Sequence, residues 1–439
     1  MIASNEFKQR RKRLIRRMKK NGVALLPSAE VAVRNRDVEW PYRQHSDFHY
    51  LTGFDEPEAL AVLVPGRPDG EFILFCREFD ATKAIWTGKH AGLEGAIDRH
   101  GADQAFPVGQ LAERLPGLLE NRDRLYYPVG SSEELDGQVR HAVNAVRAKS
   151  RSGTRAPAEF IVIDTLLHEQ RLFKSESELA VIRRAADVSA QAHLRAMRHC
   201  RPDLHEYEIE AEFLHEITRH GLRAQAYPAI VAAGNNACVL HYTGNSDRLR
   251  DGDLLLIDAG AECDHYAADI TRTYPVNGRF SEPQRLLYDL VLAAQLAAID
   301  AVRPGKRWND PHDAAVKVLT KGLVDLGLLK GKVNKLIKDE AYKPFYMHRT
   351  GHWLGMDVHD VGEYRDDDGE WRKLEPGMVL TVEPGLYIDA GREDVEPQWR
   401  GIGIRIEDDV AVTESGCEIL TAAVPKTVAD IEALMGQSR

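Results

Sequence analysis

Two aspartates stand out as residues that could do chemistry, because each one accompanies a short apolar run. Asp258 ends the run 254–257, and Asp269 lies within the run 266–276. If these runs form a hairpin that turns at residues 263–264, the two carboxylates lie directly opposite each other, about 5 Å apart at the backbone. Like charges so placed repel each other, so the spacing predicts a cation between them.

A second pair of acids lies near the C-terminal end of the sequence. Glu383 ends the apolar run 378–382 and is followed by Pro-Gly. Segment 401–407 alternates strictly, so that its isoleucines share one face of a strand, while Arg405 and Glu407 share the other with Gly403. If that second face is buried, the acid and the base on it need partners.

Three histidines lie between these two pairs of acids. His348, His352 and His359 fall within twelve residues and are interleaved with glycine. The glycines predict a loop or a short strand rather than a helix, and no HExxH motif of a zinc helix accompanies them.

Taken singly, each of these residues has an ordinary structural explanation. It could be a turn residue, the end of a strand, or a histidine whose ring nitrogens form hydrogen bonds within the fold. Together they form a set of four carboxylates and one imidazole without a thiolate, which favours a harder ion such as Mn²⁺ over structural zinc. Four carboxylates carry enough negative charge for two divalent ions. Two such ions ~3.5–4 Å apart can share a hydroxide and polarise a carbonyl group, so the set predicts hydrolysis.

The elements that must position these residues divide into two parts. Residues 1–172 predict an α/β domain, with strands at 59–64, 72–75 and 160–163, helices near 109–120 and 131–148, and a polar loop at 150–157. The second domain, 173–439, opens with a long helical pattern in which Ser175 and Glu178 form a capping-box signature. It contains nearly every candidate ligand.

Composition limits the classes of function. The formal net charge of -10 provides no basic field for nucleic acid, and no apolar stretch approaches the ~20 residues of a membrane span. A basic N-terminal helix, with Phe7, Leu14, Ile15 and Met18 on one face, is interpreted as a solvated surface helix rather than a nucleic-acid or membrane contact. Five scattered cysteines without a CxxC motif predict reduced thiols and a cytoplasmic protein.

With these motifs in place, the sequence resembles the M24 metallopeptidases, and within them the Xaa-Pro aminopeptidases, over almost its whole length. In the first domain the resemblance rests on segments 34–37 and 42–54. In the second domain it rests on five ordered motifs, at 256–260, 269–273, 348–359, 381–385 and 403–408. The resemblance implies an α+β protein in which a smaller α/β domain precedes a pita-bread catalytic domain.

The resemblance also implies roles for individual residues. It implies that Asp258 is bidentate to one metal ion, that Asp269 and Glu407 bridge both, and that His352 and Glu383 complete one. The implied cofactor is a pair of divalent ions, with Mn²⁺ as the first choice and Co²⁺ or Zn²⁺ as alternatives. The residues that match substrate-site positions of the family are His241, His348, His359, Arg405, Tyr387 and Trp86, the last reaching a neighbouring subunit's site.

The implied reaction releases the N-terminal residue from peptides with proline in the second position. A metal-bridging hydroxide attacks the scissile carbonyl, Glu383 transfers protons, and His241 or His359 stabilises the oxyanion. The expected partners are Xaa-Pro peptides and further copies of the chain in a dimer or tetramer, without nucleic acid or membrane. Two alternatives stay open, namely an Xaa-Pro dipeptidase and a non-enzymatic peptide-binding module on the same fold. A methionine aminopeptidase fits less well, because that enzyme generally lacks the long first domain.

Overall fold

The computed structural model describes residues 2–437, and the chain divides into two compact units between Arg171 and Leu172. The division falls one residue before the predicted end of the first domain. Among the described residues, no helix combines the length and the apolar character that crossing a bilayer would require.

Unit 1 is built from helices and short strands that alternate along the chain, as its sequence predicts. The helices are α1 (Ser4–Arg17), α2 (Ser46–Thr52), α3 (Ala81–Thr87), α4 (Gly92–Asp98), α5 (Leu111–Leu119), α6 (Glu133–Ala148) and α7 (Asp164–Leu172). The strands are β1 (Gly22–Pro27), β2 (Val33–Asn35), β3 (Val38–Glu39), β4 (Leu60–Leu63), β5 (Phe72–Cys76), β6 (Gln104–Pro107), β7 (Arg124–Tyr127) and β8 (Glu159–Val162).

A six-stranded sheet in the order β6-β5-β4-β1-β7-β8 forms the centre of unit 1. Strands β4 and β5 pair antiparallel on either side of the predicted turn, whereas β1, β7 and β8 run parallel to one another. Apolar side chains of the sheet pack against Leu115 on α5 and against Val139 and Val143 on α6. Burial of these side chains provides the main driving force for folding of the unit.

The basic helix α1 differs from its prediction as a solvated face. Arg10 and Arg11 are buried, at 0% and 5% exposure. The guanidinium of Arg10 stacks on Tyr50 at 4.1 Å, and Arg11 donates to the Leu51 carbonyl at 2.7 Å. Both cations are therefore used inside unit 1, where aromatic faces and carbonyl groups replace water around them.

Unit 2 contains longer helices and several small sheets. The helices are α8 (Glu176–His199), α9 (Glu206–Arg219), α10 (Glu282–Ala301), α11 (Asp310–Asp325), α12 (Val333–Lys338) and α13 (Val428–Gly436). The strands are β9 (Ala224–Gln225), β10 (Ile230–Ala233), β11 (Leu254–Asp258), β12 (Ala261–Cys263), β13 (Tyr266–Ala267), β14 (Thr271–Pro275), β15 (Val379–Val382), β16 (Gly385–Ile388), β17 (Ile402–Arg405), β18 (Asp408–Val412) and β19 (Cys417–Ile419).

Helix α8 opens with the predicted capping box, in which Ser175 and Glu178 bind each other's backbone amides. Further along α8, His193 Nε2 donates to the carbonyl of Ala259 at 2.9 Å, and burial lowers the pKa of this histidine to about 4. Ser189 on the same helix accepts from the amide of Ala261 at 2.9 Å. The helix thereby fixes the chain that follows β11.

A buried ion pair connects the two sheets that carry the predicted acids. Arg272 on β14 and Asp408 on β18 are both 0% exposed, and their closest N–O distance is 2.7 Å. Lys426 also donates to Asp408, at 2.6 Å, while Arg272 donates to the carbonyl of Glu407 at 2.5 Å. Although burial opposes it, attraction to Arg272 lowers the pKa of Asp408, so this side chain stays ionised.

Replacing Asp408 with asparagine should therefore destabilise unit 2. The change keeps the shape but leaves the buried Arg272 and the partly buried Lys426 without their counter-ion, and we expect the free energy of unfolding to fall by about 3 to 5 kcal/mol. The measurement is urea unfolding followed by circular dichroism.

Arg248→Ala provides the control for this prediction. Arg248 pairs with Asp203 at a similar 2.8 Å, but the side chains are 62% and 76% exposed. Removing such an exposed pair should leave the unfolding midpoint almost unchanged. Equal losses in the two variants would contradict the explanation by burial.

Candidate functional site

A cavity of about 1150 Å³ in unit 2 brings together most of the residues predicted from the sequence. The predicted site residues in its wall are His241, Asp258, Asp269, His348, His352, His359, Glu383, Arg405 and Glu407. Tyr387 on β16 joins them by hydrogen bonds to His348 and Arg405. Trp86 lies on α3 of unit 1 and is 83% exposed, and its contact with a neighbouring subunit stays a prediction.

The predicted register of the two aspartates is wrong by two residues. Asp258 pairs with Thr271, not with Asp269. The hairpin turns at Asp264 and His265, which both have positive φ, instead of at residues 263–264. The second run is also interrupted, so that Asp269 lies between β13 and β14.

The two aspartates nevertheless lie side by side, because the offset keeps both on the same face. The hydroxyl of Tyr227 lies 2.6 Å from Asp258 Oδ1 and also contacts Asp269 Oδ1. A hydroxyl has one proton and cannot donate to two acceptors at once. Both carboxylates would be satisfied together if a cation lay between them, so this arrangement fits a metal ion.

Arg405 holds Asp258 from the other side. Its Nη2 donates to Asp258 Oδ2 at 2.7 Å, its Nη1 donates to the Tyr387 hydroxyl at 3.0 Å, and its Nε donates to Thr271 at 3.2 Å. Burial raises the pKa of Asp258, and the charge of Arg405 opposes that shift. The arginine therefore fixes the orientation of one carboxylate and neutralises part of its charge.

His352 and Glu383 are positioned by adjacent backbone segments. The residues around His352 form no helix, as predicted, and Thr381 on β15 donates its amide to the His352 carbonyl at 3.0 Å. His352 Nδ1 donates to the Trp353 carbonyl at 2.9 Å, which leaves Nε2 3.4 Å from Asp269 Oδ2 and 3.7 Å from Glu383 Oε1. This is the orientation of a metal-binding imidazole whose second nitrogen is held by the protein.

The electrostatics at His352 favour a positive charge at this point of the cavity. Although burial opposes it, the hydrogen bond to Asp269 raises the pKa of His352 to about 9. The same bond lowers the pKa of Asp269 against the effect of burial. Either a proton or a metal ion at Nε2 relieves the repulsion between the neighbouring carboxylates.

Glu407 completes the cluster from the end of β17. Its amide donates to the Thr271 carbonyl at 3.0 Å, and its Oε2 accepts from the Thr271 hydroxyl at 2.6 Å. Burial, with repulsion from Asp269, raises the pKa of Glu407 well above its usual value, and burial raises that of Glu383 to about 7. Asp269, His352 and Glu407 place ligand atoms within 4.8 Å of one another, a spacing suitable for one ion.

Three further histidines face the cavity without joining this cluster. His359 lies edge-on to His352, with ring centroids 4.3 Å apart, and burial and the nearby His352 lower its pKa. His348 Nδ1 donates to the Arg349 carbonyl at 2.8 Å, and burial lowers its pKa to about 3. His241 is exposed to the cavity. The lowered pKa values of His348 and His359 favour neutral rings that can donate or accept hydrogen bonds.

Three residues that support the cluster were not predicted from the sequence. Thr271 shares the strand face of Asp269, so a period of two could have indicated it. Asp409, buried on β18, accepts from the amide of Asp269 at 3.0 Å, and burial raises its pKa well above the usual value. Tyr227 lies in a segment that joins β9 to β10, where no periodic pattern marks it.

Comparisons with known proteins agree with this geometry. Residues 180–414 match metallopeptidase family M24, and residues 7–126 match the N-terminal domain of aminopeptidase P. The chain is 47% identical to the Xaa-Pro aminopeptidase of Escherichia coli over 439 residues, covering 100% of this chain and 99% of that protein.

Solved structures give the same result. The aminopeptidase PepP of Pseudomonas aeruginosa is 57% identical and superimposes with a TM-score of 0.98, covering 100% of this chain and 99% of that one. Zn-substituted aminopeptidase P of E. coli, in complex with product, is 47% identical with a TM-score of 0.96 and the same coverage.

These matches confirm the predicted fold, in which a smaller α/β domain precedes a catalytic domain of mixed helices and sheets. The cluster of acids and imidazole lies within the part of the chain that matches the catalytic domain. The chain belongs to metallopeptidase family M24.

Proposed function

We propose that this chain is a metal-dependent exopeptidase that releases the N-terminal residue from peptides with proline in the second position. The observation that carries the proposal is the convergence of four carboxylates and one imidazole in a single large cavity. Relatives that carry the Xaa-Pro aminopeptidase name over the full chain length support this activity over that of an Xaa-Pro dipeptidase. They also favour an enzyme over a peptide-binding module.

The residues that would hold two divalent ions are Asp258, Asp269, His352, Glu383 and Glu407. Asp269 and Glu407 would serve both ions, and the closeness of their ligand atoms, within 4.8 Å of each other and of His352, supports this assignment. Oxygen donors with one imidazole favour Mn²⁺, with Co²⁺ or Zn²⁺ as alternatives. When bound, the ions would activate a water molecule as nucleophile and polarise the scissile carbonyl.

The side chains around the ions would carry out the remaining steps. Glu383 would take a proton from the nucleophile and give it to the departing proline nitrogen. His359 and His241 would donate hydrogen bonds to the oxyanion that develops on the carbonyl oxygen. Asp258, held by Arg405, would face the free amine of the substrate, while His348 and Tyr387 would line the substrate site.

Proline matters in this scheme because its nitrogen carries no hydrogen once it forms a peptide bond. A site without an acceptor at that nitrogen and with room for the ring loses nothing when proline is bound. Other residues would leave an unsatisfied amide N–H there, which disfavours them.

We further propose that the protein acts in the cytoplasm as a homo-oligomer, a dimer or a tetramer. The scattered cysteines support a reducing compartment. The exposed Trp86 supports contact with a neighbouring subunit, since a large aromatic side chain at 83% exposure suits an interface. The net charge of -10 disfavours nucleic acid as a partner.

Chelation should abolish peptidase activity, because the carboxylates repel each other and the nucleophile depends on the ions. Treatment with a chelator followed by dialysis should leave no detectable cleavage of an Xaa-Pro peptide. Adding back Mn²⁺ or Co²⁺ should restore activity, whereas Mg²⁺, which dehydrates reluctantly, should restore less. Full activity in a sample shown to be metal-free by elemental analysis would contradict the proposal.

Variants of the metal ligands should lose bound metal, whereas a variant of an oxyanion-binding histidine should keep it. Asp269→Ala and Glu407→Ala should lose metal as well as turnover, since each side chain serves both ions. His359→Ala should retain the metal and lose turnover by a factor of about 10² to 10³, the usual effect of removing one oxyanion donor. The measurement is elemental analysis beside kcat. Metal loss in His359→Ala equal to that in Asp269→Ala would contradict the assigned roles.

Peptide length should distinguish the aminopeptidase from the dipeptidase. We expect Xaa-Pro-Yaa and Xaa-Pro-Yaa-Zaa to be cleaved with kcat/KM at least equal to that of Xaa-Pro, releasing only the first residue. A strict dipeptidase must recognise the carboxylate of proline itself. Cleavage of the dipeptide alone would therefore support the alternative function.

A further inference from the structure

One wall of the cavity carries two arginines that stack on a single indole ring. Arg365 Cζ lies 3.9 Å from the centroid of Trp371, and Arg349 Cζ lies 5.2 Å from it. All three side chains line the cavity that contains the candidate metal ligands. We refer to Arg349, Arg365 and Trp371 as the arginine–tryptophan wall.

The wall is held by contacts with neutral groups. Arg365 and Trp371 face each other as an antiparallel bridge, and Arg365 Nη1 donates to the Gly369 carbonyl at 2.6 Å. Arg349 donates through Nη2 to the side-chain oxygen of Asn309. These contacts and the stacking limit the motion of both guanidinium groups while leaving several N–H donors available.

Neither guanidinium has an anionic partner within residues 2–437. The ion pairs of this part of the chain include Arg307 with Glu370 at 2.5 Å, but none that involves Arg349 or Arg365. Glu363 also lines the cavity and forms no ion pair with either arginine. Arg349 and Arg365 are exposed side chains that line the cavity without an ion-pair partner among the described residues, and they form a site suited to a carboxylate, whose geometry matches the planar guanidinium fork.

The location of the wall indicates which part of a peptide would reach it. Arg349 directly follows His348, and Trp353, which directly follows His352, stacks on Tyr364, with ring centroids 5.7 Å apart and an interplanar angle of 5°. Arg349 and Arg365 are therefore each next in the chain to a residue beside the candidate histidines. The substrate amine is proposed to lie at Asp258, so a carboxylate bound at the wall would belong to a later residue of the peptide.

We propose, on the basis of the proposed function, that the arginine–tryptophan wall binds a carboxylate on the residue that follows proline. This carboxylate can be the C-terminal group of a tripeptide or the side chain of an acidic third residue. The wall would thereby favour short and acidic Xaa-Pro-Yaa peptides among the substrates.

The test compares matched acid and amide peptides at low ionic strength. One pair is Ala-Pro-Ala and its C-terminal amide, and the other is Ala-Pro-Glu amide and Ala-Pro-Gln amide. We expect kcat/KM to favour the carboxylate member of at least one pair about fivefold to tenfold, mainly through KM, and the preference to shrink as salt is added. If only the first pair shows the preference, the wall binds the C-terminal carboxylate. If only the second pair shows it, the wall binds the acidic side chain of the third residue.

Variants connect the preference to the wall. Arg365→Gln and Arg349→Gln should each reduce the ratio of carboxylate to amide toward one. Arg307→Gln is the matched control, because Arg307 pairs with Glu370 beside Trp371 but does not line the cavity, and it should keep the wild-type ratio and activity.

Failure of this inference can be told apart from failure of the proposed function. If all peptides are cleaved with equal kcat/KM, the carboxylate subsite is wrong and the activity stands. If none is cleaved, the proposed activity is wrong, and calorimetry with the same peptides on the same protein decides the inference. Tighter binding of the carboxylate members would then support the subsite, and equal dissociation constants would overturn it.

Discussion

The catalytic unit depends on keeping several acidic side chains together in a buried space. Such acids either take up protons or need positive charge among them, and burial raises the pKa of both Glu383 and Glu407. Arg405 supplies one fixed charge and His352 supplies another, through Asp258 and Asp269 respectively. Four carboxylates exceed these two cations, so the remaining acids must either be protonated or share bound divalent ions.

The backbone that carries the acidic cluster is stabilised by contacts with the neighbouring interior of unit 2. The carbonyl of Glu407 accepts from Arg272, and the next residue, Asp408, pairs with the same guanidinium. Glu407, just before β18, thus faces the cavity, while Asp408, the first residue of β18, faces the interior, because successive side chains of an extended chain point to opposite faces. Stability and site geometry are therefore coupled: a change at Asp408 also disturbs the position of Glu407.

The sequence identifies the acidic residues of the site because strand ends and the alternation of side chains along a strand are local patterns. Glu383 directly follows β15, as predicted, whereas Glu407 lies just beyond β17, which ends at Arg405 instead of continuing to residue 407. The predicted register of Asp258 with Asp269 fails because the turn falls one residue later than predicted, at Asp264 and His265, and that displacement shifts the pairing by two residues. Tyr227 was not predicted for a different reason. Its role depends on tertiary contacts with Asp258 and Asp269, and no periodic sequence pattern marks it.

The two side chains that could have made this enzyme a dipeptidase already have partners within the site. Each of the three nitrogens of Arg405 donates within the site, to Asp258, Tyr387 and Thr271. Both ring nitrogens of His348 are also bonded, and its pKa of about 3 leaves it neutral near pH 7. Recognition of a carboxylate on proline requires a free cation at that point. Because Arg405 is paired with Asp258 and His348 is neutral, neither side chain strongly attracts a carboxylate on proline, which agrees with the proposed cleavage of peptides longer than two residues.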